Sequence, residues 1–121
     1  NLNQLIFFGS ISYLDDYEIS LLPKEVWTYW NLSYEIIQDA LKMSNRALLV
    51  LYHQKHLEKS EIEQETCFFL LKTRMPKIYD DITEILSNYS PSVDVRIIKH
   101  LNKRLLSEMT IISNDNLKIF L

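Results

Sequence analysis

The sequence predicts a mainly α protein, a helical bundle with a short C-terminal β-hairpin; an all-α bundle is the alternative. Apolar residues recur every three or four positions over most of residues 24–89, as in amphipathic helices. After Pro91 they alternate, as in a half-buried strand. The 121 residues suit one main core. We therefore expect a helical domain, 1–90, and a small, incomplete β domain, 91–121.

The first helices are predicted from apolar stripes and from residues that start or stop a helix. Residues 2–8 are apolar, and this pattern predicts a short helix that ends at Gly9. Pro23 suits the first turn of a longer helix. That helix has a broad buried stripe, which consists of Trp27, Trp30, Tyr34, Ile37 and Leu41.

A central helix is predicted next. Residues 47–52 are apolar on every side, so this segment is expected to be central, with neighbours on several sides. Ser44 or Asn45 caps the helix, unless the preceding helix runs through without a break.

Two more helices complete the predicted bundle. Ser60 and Glu63 have the spacing of a capping box, which indicates a helix over residues 61–74. Pro76 either kinks this helix or starts a new one. A clean apolar stripe then covers residues 78–89. The connections are short, so we expect residues 24–89 to be almost entirely helical, with antiparallel packing and no strand between residues 26 and 86.

The predicted β segment occupies the C-terminal residues. Residues 93–97 alternate between apolar and polar side chains, which indicates a strand. Residues 109–112 and 117–121 flank the turn-forming residues 113–116, a pattern that favours a hairpin.

Composition excludes several classes of function. The single glycine, Gly9, excludes glycine-rich phosphate loops and dinucleotide folds, which need several glycines at fixed spacing. A net charge of −3 argues against extensive nucleic-acid binding. No apolar run approaches the ~18 residues of a membrane helix. Cys67 is the only cysteine and the chain shows no secretion signal, so we expect a cytoplasmic or nuclear protein that is not secreted.

No catalytic, cofactor or metal site is expected. His53 and His56 lie three apart on a helix, but a zinc site needs further ligands at suitable spacing. Cys67 lies among large apolar residues, where a thiol is usually inert. Enzymatic activity is therefore not predicted.

Two groups of residues are candidates for binding a partner. Arg96, Lys99, His100, Lys103 and Arg104 form a basic cluster. This cluster is either a solvated face or a contact for an acidic partner or, weakly, for phosphate. Trp27, Tyr29, Trp30 and Tyr34 form an aromatic group. This group is either core or a permanent interface, because the two use the same physics.

Three segments resemble the GINS complex, the four-subunit assembly of the replicative helicase. Residues 45–52 resemble the Asn-Arg start of that family's central helix. Residues 93–99, just after a proline, resemble the first strand of its small β domain, and residues 114–121 resemble a later hairpin. The order is that of the Psf-one type of subunit. Where the family usually has an acidic residue and a glycine, this chain has His100-Leu-Asn.

The resemblance implies a non-enzymatic, nuclear scaffold subunit of a heterotetramer in DNA replication. Its partners would be the sister subunits and the MCM helicase, with no membrane contact and at most weak contact with nucleic acid. The partner-binding residues would be Trp27, Trp30, Tyr34, Arg96, Lys99, Lys103 and Arg104. The alternative is a stand-alone helical protein that binds another protein, as immunity and inhibitor proteins do.

Overall fold

The computed structural model describes residues 16–75, 77–88 and 93–120, with side chains described as far as Glu108, and over these residues the chain is helical without strands. Within these described ranges seven helices follow one another: α1 (Asp16–Ser20), α2 (Lys24–Tyr29), α3 (Tyr34–Ala40), α4 (Asn45–Leu57), α5 (Glu61–Thr73), α6 (Tyr79–Ser87) and α7 (Val95–Phe120). The mainly α class is confirmed. The helix predicted for residues 2–8 lies outside the described residues.

The long helix predicted from Pro23 to Leu41 is interrupted, and that prediction was wrong. Asn31 adopts a left-handed conformation with φ 58°, and the backbone N–H of Leu32 reaches back to the carbonyl of Trp27 at 2.8 Å. This is the usual C-terminal helix cap, and asparagine tolerates its backbone angle. Ser33 then starts α3 by accepting a hydrogen bond from the Ile36 N–H. Two short helices, α2 and α3, therefore replace one.

Helices α4 and α5 form the centre of the bundle. Ser44 caps α4 by accepting from the Ala47 N–H at 3.2 Å. Leu48 and Leu49 are fully buried, as the apolar run predicted. The most continuously buried segment, however, is residues 66–72 of α5. The connection from Leu57 to Glu61 is short and favours antiparallel neighbours.

The capping box predicted at Ser60 and Glu63 does not form, although the helix it predicted does. The Ser60 side chain makes no cap hydrogen bond, and Glu63 instead pairs with Lys55 of α4 at 2.7 Å. Lys59 is left-handed at φ 57°, and the Ser60 N–H donates to the Lys55 carbonyl. The backbone conformation between α4 and α5 is therefore determined by the C-terminal cap of α4 and not by a capping box of α5.

The C-terminal β segment is replaced by α7. The strand predicted at residues 93–97 was wrong: the backbone is helical from Val95, and the predicted hairpin over 109–121 is not seen, since the helix runs to Phe120. Apolar and polar side chains alternate over only five residues here, and a stretch that short does not distinguish a strand from the start of a helix. The buried residues Ile98, Leu101 and Leu105 recur at spacings of three and four.

Asp94 is the physical reason why α7 begins where it does. Its carboxylate accepts from the Arg96 backbone N–H at 2.9 Å, which satisfies a free donor in the first turn. Ile98, Leu101 and Leu105 belong to the same buried cluster as the side chains of α4–α6. The boundary at residues 90/91 stays a prediction, but the segment after it is helical and shares that core.

Candidate functional site: the faces of helix α7

Helix α7 presents three faces over residues 95–108, where its side chains are described. Its apolar face enters the core through Ile98, Leu101 and Leu105. A second, charged face meets α5. A third face carries the remaining basic residues into solvent. The predicted basic cluster is therefore divided between two roles that sequence spacing alone did not separate.

Arg104 holds α7 against α5. Its guanidinium donates two hydrogen bonds to the carboxylate of Glu65, at 2.7 and 2.6 Å, and lies 3.7 Å from the centre of the Phe68 ring. Burial works against the charge, but the hydrogen bonds and charge of Glu65 outweigh it and raise the pKa of Arg104. Fork-shaped pairing of this kind fixes orientation as well as distance. Arg104 thus anchors the helix and does not reach outward.

Lys72 and Glu108 form a second contact one turn further along. Their charged atoms are 3.5 Å apart, and the Lys72 side chain is only 2% exposed. Burial lowers the pKa of Lys72, while the charge of Glu108 opposes that shift. The adjoining cavity is about 60 Å³ and is lined by both ion pairs and Phe68. A space this small suits one or two waters better than a substrate.

The outward face of α7 is basic. Arg96, Lys99, His100 and Lys103 are all exposed and lie at helix positions i, i+3, i+4 and i+7. These positions share one side of a helix. We call them the basic stripe. Arg96 at one end also pairs with Asp94 at 3.1 Å, and its hydrogen bonds lower the pKa of the Asp94 carboxyl.

The aromatic group predicted as core or interface is also divided. Trp27 is 1% exposed and packs on Phe69 with ring centres 5.5 Å apart, so it is a core residue of this chain. Of the two alternatives left open for the aromatic group, core and interface, Trp27 therefore takes the first in this chain. Trp30 and Tyr34 are half-buried against the core. Tyr29 is 77% exposed and meets Trp30 edge to face at 5.2 Å.

A groove of about 510 Å³ lies between α1, α2 and α3. Trp27 and Ile37 line its apolar wall, and Asp16, Asp39 and Lys42 are among its polar groups. Its volume is in the usual range for small-ligand sites. The carboxylate of Asp16, however, is engaged by Arg74 at 3.3 Å. The groove therefore brings together no distinctive chemistry.

His53, His56 and Cys67 lie in separate surroundings and make different contacts. Nε2 of His53 accepts from the Asp94 backbone N–H at 3.0 Å, whereas Nδ1 of His56 is bonded to Gln64. Cys67 is fully buried, and burial raises the pKa of its thiol to about 12. Among the residues with described side chains, no three histidine, cysteine or acidic groups come together as a metal site would require.

Sequence reasoning missed the clamp built by Arg74. Its guanidinium donates to the carbonyls of Ala40 and Met43 and to the side chain of Asn45, all within 3.1 Å. Asn45 in turn donates to Asp81 of α6. The end of α3, the start of α4 and α6 are tied together in this way. No local pattern marks such a clamp, because its partners are about 30 residues apart.

No family model, curated protein or solved structure matches this chain. No helix within the described ranges is both long enough and apolar enough to span a bilayer. The interpretation of the site therefore rests on its own geometry.

Proposed function

We propose that this chain is a non-enzymatic, helical protein-binding protein that contacts its partner through the basic stripe of α7. The observation that carries the proposal is the stripe itself: Arg96, Lys99 and Lys103 project from one side of a helix in a chain of net charge −3. A local positive surface on an acidic protein favours and orients the approach of a negative partner.

Stability alone does not account for the stripe. Lys99 and Lys103 are four residues apart, and like charges at that spacing destabilise a helix by roughly 0.2–0.5 kcal/mol. No ion pair joins either lysine to another residue with a described side chain. Arg104 and Arg96 are different, since each pairs with a carboxylate, that of Glu65 and that of Asp94 respectively. Among the residues with described side chains, the charge of Lys99 and Lys103 is therefore uncompensated and available to a partner.

A matched pair of charge-reversed variants tests the proposal. Lys99→Glu/Lys103→Glu should lose a protein that co-purifies with the wild-type chain from its source cells. Lys42→Glu/Lys77→Glu changes two exposed lysines elsewhere by the same charge and should retain it. Equal recovery with both variants, or no specific protein with the wild-type chain, would refute the proposal.

A scaffold subunit of the GINS complex is the second candidate. One observation favours it: residues 45–52, which resemble the start of that family's central helix, do begin the central helix α4. The other two matching segments resemble strands of a β domain, whereas here α7 includes residues 95–99 and 114–120. Its partners would be sister subunits and the MCM helicase, in the nucleus. Co-expression with sister subunits should then give a stable heterotetramer; a chain that stays monomeric beside them would exclude this candidate.

A further inference from the structure

We infer that the partner segment bound by the basic stripe is an acidic α-helix that lies alongside α7. The inference rests on the proposed function and adds the chemistry and the conformation of the partner. It follows from three features: the charge outside the stripe, the spacing within it, and the exposed leucine beyond it.

The charge of the rest of the molecule limits the size of the partner's negative surface. The chain carries −3, and Arg96, Lys99 and Lys103 contribute +3, so the remaining residues together carry −6. A nucleic-acid duplex or an anionic membrane would face these negative charges as well as the stripe. A short acidic peptide segment contacts the stripe alone. Charge complementarity therefore favours a protein carboxylate over an extended phosphate surface.

The spacing of the cations suits a helix. With a rise of about 1.5 Å per residue, Arg96 and Lys99 are roughly 4.5 Å apart along the axis, and Lys99 and Lys103 roughly 6 Å. Carboxylates at i, i+3 and i+7 of a partner helix have the same spacing. An extended segment would place side chains of one face about 6.7 Å apart, which fits the first interval poorly.

Leu106 gives the surface an apolar end. It lies three residues beyond Lys103, on the adjoining part of the same side of α7, and is 43% exposed. An apolar residue of the partner one turn beyond its carboxylates would meet Leu106. The partner segment is thus amphipathic, with acidic residues followed by an apolar one. Such mixed surfaces are common where a helix docks on another protein.

Peptide titration of the isotope-labelled chain, followed by NMR, tests the inference. The probe is an alanine-rich helical peptide with glutamates at spacings of three and four and a leucine one turn beyond. The matched control peptide has glutamine in place of each glutamate. The glutamate peptide should shift the amide signals of residues 95–106 and bind more weakly as salt is added.

Variants of the protein make the result specific. Lys99→Gln/Lys103→Gln should weaken binding of the glutamate peptide roughly 2- to 30-fold, as expected for two exposed charge pairs. Lys42→Gln/Lys77→Gln should leave it unchanged. The inference is overturned if the glutamine peptide binds equally well, if no peptide binds, or if a short DNA duplex or a phosphatidylserine vesicle binds the stripe more tightly.

The two proposals fail in different ways. Loss of a co-purifying protein on charge reversal, together with no peptide binding, would leave the proposed function standing and remove the acidic helix. Peptide binding without any co-purifying protein would support the surface chemistry and remove the proposed function.

Discussion

Lys72 shows at the scale of one residue how α7 is held. Its ammonium group lies almost fully inside the protein, with Glu108 at 3.5 Å. A charged group at such a position gives up strong hydration in exchange for one carboxylate partner. An apolar side chain of similar volume would avoid that loss. The contact with Glu108 therefore determines where α7 lies more than it adds to overall stability.

We predict that replacing both partners, Lys72→Met with Glu108→Leu, stabilises the fold by about 1 kcal/mol near neutral pH, because exchanging a whole buried ion pair for apolar side chains is often stabilising. The gain should shrink as the pH rises towards 10.5. Burial lowers the pKa of Lys72 below 10.5, so between the two pKa values the unfolded chain binds more protons and wild-type stability rises with pH. Urea unfolding of both proteins at about pH 7 and about pH 10 measures the difference. Cys67 is present in both, so its titration cancels; a pH-independent difference would contradict the assignment.

Individual residues were predictable where burial follows local pattern, and unpredictable where it depends on distant partners. The burial of Leu48, Leu49 and Cys67 follows from apolar neighbours in the sequence. The sequence pattern did not distinguish the anchoring Arg104 from the exposed Lys103, because the two differ only in their distance from Glu65, which is about 40 residues away in the sequence. The clamp at Arg74 was missed for the same reason.

At the scale of the element, helix starts depend on which serine reaches the backbone. Ser44→Ala should cost about 1 kcal/mol, because the Ser44 oxygen accepts from the Ala47 N–H. Ser60→Ala should cost close to nothing, because that side chain forms no cap. Urea unfolding of the two variants makes each a control for the other. An equal loss would mean that the predicted capping box does form.

Lys99→Glu is predicted to stabilise α7 while it weakens partner binding. The change removes a repulsive lysine pair and places a glutamate four residues before Lys103, a favourable order, for a gain of roughly 0.4–1 kcal/mol at low salt. The measurement is urea unfolding at low and high salt, where screening should reduce the gain. Lys77→Glu should show no such gain. A destabilised Lys99→Glu variant would mean that the lysine has a structural partner.

The error at α7 has a physical origin at the same scale. Alternation over residues 93–97 is compatible with a strand, but Asp94 can also cap a helix, and a longer window contains Ile98, Leu101 and Leu105 at helical spacing. The interruption at Asn31 was missed because the apolar stripe of the predicted helix continues through the break. The stripe continues because α2 and α3 both face the same core.

At the scale of the whole molecule, the helical class and most helix positions followed from hydrophobic periodicity. Periodicity could not show how the helices pack together. It did not indicate which helix is most buried or which charged side chains face inward. The candidate site depends on that second kind of information. The basic stripe became visible only when α7 was placed with its apolar face in the core and Arg104 against α5.

The central claim is that a partner covers the basic stripe, and lysine acylation of the co-purified complex tests it most directly. Among the residues with described side chains, six exposed lysines sample different parts of the surface: Lys24, Lys42, Lys59, Lys77, Lys99 and Lys103. Mass spectrometry compares the acylation of each lysine in the free chain and in the complex. We predict protection of Lys99 and Lys103, with the other four unchanged. Protection confined to Lys24, which lies over the Tyr34 ring at 5.8 Å, and to Lys42 would contradict the account and place the partner on the aromatic side.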